Sequence, residues 1–182
     1  MTSEIASIRA STAADAPSLA RIYGWHVLNG TGTFETDAPD AAEMASRREA
    51  IVAKGLPWLV AEQDGQVLGF AYANHFRPRG AYRFCLEDSI YLAPEAAKQG
   101  LGTRLLRELI DQCTALGARQ MLAVIGDSAN AGSIGVHRRL GFEHTGVMKA
   151  AGWKFDAWRD VVIMQLALGE GDSTPARDKA PA

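Results

Sequence analysis

Only two cysteines, Cys85 and Cys113, occur in the 182 residues. Neither has a nearby histidine or a CxxC spacing, which argues against a disulfide framework or a cysteine metal site and for core packing in a reducing compartment. Charge of one sign is lacking as well. The 19 Lys and Arg against 21 Asp and Glu leave a net charge of -2, with no basic run. No global field therefore draws the molecule to nucleic acid or an anionic membrane, and any phosphate recognition must be local. Nowhere do roughly 18 apolar residues run together, and "MTSEIASIRAST" lacks a basic segment followed by an apolar one, so a cytoplasmic protein is expected. His26, His75 and His144 share no ligand spacing, and no metal is expected. Neither GxGxxG nor a glycine loop ending in Lys-Ser/Thr is present. There is no internal repeat.

What is present is enough for one core, since 182 residues at 47% hydrophobic content support a single α/β domain. "IASIRA" has strand character. "TAADAPSLARIYGWHVLNG" places Leu19, Ile22, Tyr23, His26 and Val27 at helical spacing, with Thr12 as N-cap, Asp15 three residues on and Gly30 as the stop. "TGTFETDAP" is a loop with extended character, and "DAAEMASRREAIVAKG" is a second helix that starts after Pro39 and stops at Gly55. Two apolar runs in "PWLVAEQDGQVLGFAYANHF" meet at Asp64-Gly65, a hairpin signal. Then come a longer strand, "YRFCLEDSIYLA", and a helix from Gly100 to Leu116 that puts Leu101, Leu105, Leu106, Leu109, Ile110, Cys113 and Leu116 on one stripe. A buried strand "RQMLAVIG", a short helix "SANAGSIGVHRRLGF" ending at Gly141 and a final strand "WRDVVIMQLAL" complete residues 1–168. This order predicts an α/β or α+β fold with a mixed sheet covered on both faces. From Gly169 the tail "GEGDSTPARDKAPA" is polar and is expected to be disordered.

Two local features point to chemistry. "LAPEAAKQGLGTRLLRELI" runs from a strand through a glycine turn into a helix, and a helix start presents unpaired N–H groups and about half a unit of positive charge to an anion. Gly100 and Gly102 permit close approach, although the pair alone fits a tight turn equally well. The second feature is Glu87-Asp88, two carboxylates where a half-buried strand should alternate.

Together "SIYLAPEAAKQGLGTRLLRELI" and "NAGSIGVHRRLGFEHTG" resemble the GNAT superfamily of acyl-CoA-dependent N-acetyltransferases, whose pyrophosphate loop reads Q/R-x-x-G-x-G/A. That window is Ala97, Lys98, Gln99, Gly100, Leu101 and Gly102 here, with Ala97 departing from the pattern and Lys98 or Gln99 placed to compensate. More narrowly, "GTFETDAP", "LEDSIYLAP", "NAGSIGVHRRLGF" and "GWKFDAWRDVVIMQL" resemble the phosphinothricin and methionine sulfoximine N-acetyltransferases over roughly Ile8 to Leu168. The resemblance implies a mostly antiparallel GNAT sheet, acetyl-CoA as co-substrate, a small amino-acid acceptor acetylated by direct transfer, and a homodimer.

It also implies residue roles. Glu87, on the cofactor-bearing strand, would accept the ammonium proton, directly or through water; a strand carboxylate paired with Arg83 or another base is the other reading. Asp88, facing the opposite way, is read as structural. His137 stands where many members place a tyrosine that protonates the departing thiolate, and it equally suits a core histidine. Backbone groups of Ile90, Tyr91 and Leu92 would meet the pantetheine arm and the oxyanion. Asn130 and Ser133 would contact the cofactor, cap the short helix, or both. Arg77, Arg79 and Tyr82 would capture a carboxylate or phosphinate, unless they form a solvated basic loop. Phe34, Glu35 and Lys154, with Trp158, match segments near the acceptor, and Lys154 is expected to hold a second oxyanion. Two competing readings are an N-acetyltransferase for another amine (a polyamine, aminoglycoside or protein N-terminus) and a non-catalytic acyl-CoA-binding module.

Overall fold

The computed structural model describes residues 6–177. Strand β1 (Ser7–Ala10) leads through Thr12, whose N–H donates to the Asp15 carboxylate at 2.7 Å, into a single 3-10 turn and then α1 (Ala16–Asn29). Helix α2 (Ala41–Val52) starts where the Asp40 carboxylate accepts the Glu43 N–H at 2.8 Å. Strands β2 (Trp58–Gln63) and β3 (Gln66–His75) form the hairpin expected at Asp64 and Gly65, both of positive φ. β4 (Cys85–Leu92), α3 (Leu101–Ala115), β5 (Gln120–Gly126), α4 (Ala131–Arg139), β6 (Glu143–Lys154) and β7 (Ala157–Ala167) complete the order.

The seven strands are ordered β1-β2-β3-β4-β5-β7-β6, and β4 with β5 is the parallel pair in an otherwise antiparallel sheet. Tyr91 of β4 meets Tyr23 of α1 edge-on at 4.8 Å, whereas Ile90 and Leu92 lie under Gly102 of α3. Strand alternation thus sends α1 to one face of the sheet and α3 with α4 to the other. Phe70, Leu86, Met121 and Met164 of the sheet, Leu19 and Ile22 of α1, and Leu105, Leu106 and Leu109 of α3 are fully buried in the core. Among the described residues no helix is long and apolar enough to cross a membrane.

Three expectations change. β6 was not foreseen: it is an edge strand whose residues are mostly exposed and whose register shifts twice, so no alternation marks it. Its hairpin with β7 turns on Phe155 and Asp156, at φ 52° and 51°, with no glycine to signal it. Tyr82 lies not in β4 but in a 3-10 turn ahead of it. The start of the tail is tied down, because Arg119 donates to the carbonyls of Gly171 at 2.7 Å and Thr174 at 3.0 Å; residues 178–182 lie outside the described residues.

Candidate active site

β4 and β5 are paired only from Cys85 to Asp88 and from Gln120 to Ala123. Beyond that, β4 stays with β3 as far as Leu92, while β5 stays with β7 as far as Gly126. The gap between them is a cleft of about 540 Å³, within the range of ligand sites. One wall is Asp88 to Leu92; the other runs through Ala123 to Ile125 and α4. Gly102 closes the α3 side, and Trp25, His26 and residues 30–32 close the α1 side.

The ladder with β3 decides which backbone groups are available. Phe76 N–H donates to Cys85 and Ala93 N–H donates to the Leu68 carbonyl at 2.8 Å, so the odd-numbered residues of β4 turn their groups to β3. Ile90 and Leu92 turn theirs to the gap. Of the three residues expected to meet the pantetheine arm, Tyr91 therefore offers no backbone group there. The Leu92 carbonyl is already taken, since it accepts from His26 Nε2 at 2.8 Å.

At the mouth, Lys98 and Gly100 have φ of 63° and 78°, folding the segment from Ala97 into a turn whose N–H groups continue into the free start of α3. Ala97 and Gly102 line the cleft. Gly102 packs closely as well: a Cβ there would lie 3.3 Å from Leu92 Cδ1. Leu101 points its side chain into the core, and Gln99 donates to the Glu95 carbonyl at 3.0 Å. Asn130 and Ser133 line the cleft and also form the cap of α4, with Asn130 Oδ1 accepting the Ser133 N–H at 3.2 Å.

Glu87 is half-buried, on the face of β4 shared with Tyr91, and does not line the cleft itself. Burial and the charge of Asp88 push its carboxyl above the usual range, and the charge of Arg77 pulls the other way. Asp88 and His137 are buried together at 6% and 2% exposure. His137 Nε2 meets Asp88 Oδ2 at 3.0 Å and Nδ1 meets the Ser133 carbonyl at 2.7 Å. A carbonyl only accepts, so Nδ1 carries a proton, and a further proton is shared with Asp88. Both ring nitrogens are thus engaged. The pairing ties α4 to β4, and His137 itself lines the cleft.

The acceptor-side residues divide. Glu35 accepts from Tyr23 at 2.9 Å and from Arg47 at 2.7 Å. Lys154 is buried and donates one N–H to the Thr33 carbonyl at 2.8 Å, which holds the loop; burial lowers its pKa. Phe34 is pressed onto two glycines, because a Cβ at Gly152 would lie 2.4 Å from its ring and one at Gly126 would lie 3.1 Å away. Arg77, Arg79 and Tyr82 occupy the exposed loop before β4, with Arg77 over the Phe76 ring at 4.8 Å. None of these lines the cleft, but the charge of Arg77 acts on Glu87, that of Lys154 on His26 and that of Glu35 on Tyr91. Sequence reading missed His26, because its bond to the Leu92 carbonyl joins residues 66 apart in the chain, and Trp25, which lines the cleft beside it; the small residues of "GTGT" were the one local sign that a loop passes closely there.

A mixed sheet parted between two parallel strands, with a free helix start at the gap, is the arrangement of the acetyltransferases to which the chain is matched. Residues 19–142 match the acetyltransferase (GNAT) family, and the chain belongs to it and is an acyltransferase. It is 50% identical to the phosphinothricin N-acetyltransferase of Alcaligenes faecalis over 88% of this chain and 81% of that protein. It is 40% identical to the L-methionine sulfoximine/L-methionine sulfone acetyltransferase of Pseudomonas paraeruginosa, over 93% and 99%. Among solved structures, a GNAT superfamily phosphinothricin acetyltransferase from Sinorhizobium meliloti in complex with acetyl-CoA superposes with a TM-score of 0.92 at 50% identity, covering 96% of this chain and 94% of that one.

Proposed function

We propose that the protein transfers the acetyl group of acetyl-CoA to the α-amino group of a small L-amino acid or analogue, of the phosphinothricin, methionine sulfoximine or methionine sulfone type. Transfer is direct, with both substrates bound. The observation that carries this reading is the gap between β4 and β5, which joins an open strand edge to the free helix start at Gly100 while Glu87 sits on the opposite face of the same strand. The size of the cleft and its backbone donors suit the co-substrate. Its pyrophosphate fits the turn from Ala97 to Gly102, where the Ala97 N–H is bonded to Pro94 and the N–H groups that follow are the donors, and its amide arm fits the groups of Ile90 and the N–H of Leu92.

The thioester brings an activated acetyl carbon; the chain supplies position and proton transfer. Glu87 accepts the ammonium proton of the acceptor, directly or through water, so that the amine attacks, the C–N bond forms, the C–S bond breaks, and the proton shed by the attacking nitrogen goes to the departing thiolate, giving the N-acetyl product and CoA thiol. An N–H on the open edge of β4 receives the developing oxyanion. Arg77 and Arg79 with Tyr82 hold the acceptor's acidic group, and Glu35 and Phe34 shape the loop that faces it. Direct transfer is supported by the cysteines: burial raises both thiols, Cys113 to about 12, and neither lines the cleft, so no thiolate is available to carry an acyl group. We also propose a cytoplasmic homodimer.

With acetyl-CoA and phosphinothricin or methionine sulfoximine, the purified protein should release free CoA thiol, and double-reciprocal initial-rate lines should intersect. Parallel lines would exclude direct transfer, and silence across a panel of amino acids and amines would overturn the reading.

A further inference from the structure

His26 has no place in the chemistry above, yet it reaches from α1 into the gap left by β5. Its partner is the Leu92 carbonyl, at 2.8 Å. Because a carbonyl only accepts, Nε2 must carry the proton, and it remains a donor whether or not Nδ1 is protonated. In a continuous sheet the groups of Ile90 and Leu92 would be paired with β5; here the next strand is absent and one of them is bonded by a side chain instead. The ring is held edge-on to Tyr91 at 5.4 Å and to Trp25 at 5.0 Å, and it lines the cleft.

We propose that His26 is a positioning residue for the acyl-CoA substrate. By occupying the Leu92 carbonyl it leaves the open edge with one acceptor, the Ile90 carbonyl, between two donors, the N–H groups of Ile90 and Leu92. An amide-bearing arm can then bond in one register only. A second free acceptor two residues along would admit a slipped register and, once the arm has expelled water, would leave one carbonyl buried without a partner. This inference rests on the reading that the cleft takes acetyl-CoA.

The test is calorimetric binding of CoA to the full chain, with steady-state kinetics in parallel. His26→Phe keeps a ring but removes the donor; His26→Gln and His26→Met are matched in length and differ in having or lacking one. His26→Phe and His26→Met should bind CoA about tenfold more weakly and raise the KM for acetyl-CoA alike, with kcat at saturation within about threefold of wild type, and His26→Gln should restore binding. Thermal unfolding of the Gln and Met pair separates this from a loss of folding. Wild-type protein that does not bind CoA overturns the proposed function and this inference together. Wild-type binding matched by His26→Phe and His26→Met, or tighter binding in either, overturns this inference alone. So does a large fall in kcat at unchanged affinity.

Discussion

Glu87 and Asp88 are adjacent carboxylates that alternation turns to opposite faces of β4, and their surroundings then separate their chemistry. Glu87 is held above the usual carboxylate range by burial and by the neighbouring charge of Asp88. A base of this kind is active only when deprotonated. The acid limb of the kcat/KM profile should therefore fall at a pH above the roughly 4.3 of an ordinary glutamate. Glu87→Gln should lower turnover by about 10² to 10⁴ without a change in thermal midpoint, and should abolish that limb; wild-type rates would remove Glu87 from the mechanism. Asp88 instead shares a proton with His137. Burial opposes charge on the ring, but Asp88 and the Ser133 carbonyl outweigh it and raise the pKa of His137 in the folded state. The stabilisation is then fully present below the unfolded value of about 6.5 and is lost as pH rises through the higher folded value. Melting curves from about pH 6 to pH 9 should show the wild-type midpoint falling, with a flatter profile for His137→Phe. Asp88→Ala, which leaves the imidazole buried without its partner, should cost about 3 kcal/mol.

The elements that build the cleft meet through glycines. At the end of β5, a Cβ on Gly126 would sit 2.1 Å from the Thr31 carbonyl oxygen, which belongs to the loop closing the α1 side. The obstruction is backbone, so the loop must move. Gly126→Ala is expected to lower stability by about 2 kcal/mol and to weaken CoA binding, measured by denaturant unfolding and calorimetry on the same sample; unchanged affinity would show that this loop does not shape the cleft. Elements with strong local signals were legible from sequence: the amphipathic stripe of α3, the Asp64-Gly65 hairpin, and the glycine turn that starts α3. β6 was not, because an exposed edge strand has no buried face to impose alternation. The bonds that hold His137 and Lys154 were not legible for a related reason, since their partners Asp88 and Thr33 lie 49 and 121 residues away.

At the scale of the molecule, the β6–β7 hairpin leaves Trp153 55% and Trp158 65% exposed, with their rings 5.2 Å apart, and Phe155 is exposed at its tip. Aromatic surface of this extent on an open edge supports the proposed homodimer. Sedimentation should give twice the 19.5 kDa chain mass, and Trp153→Ser with Trp158→Ser should shift it toward monomer; a wild-type monomer would end the proposal. The sequence by itself determined the class of fold, the phosphate-ready turn and the strand that carries Glu87. Periodicity, glycine and a misplaced carboxylate are local quantities that survive without the third dimension. Only the tertiary structure decided where β4 leaves β5, which of its backbone groups face the gap, and that His26, His137 and Lys154 are bonded to residues remote in the chain. Those facts depend on strand pairing and long-range packing, and no spacing of residues records them.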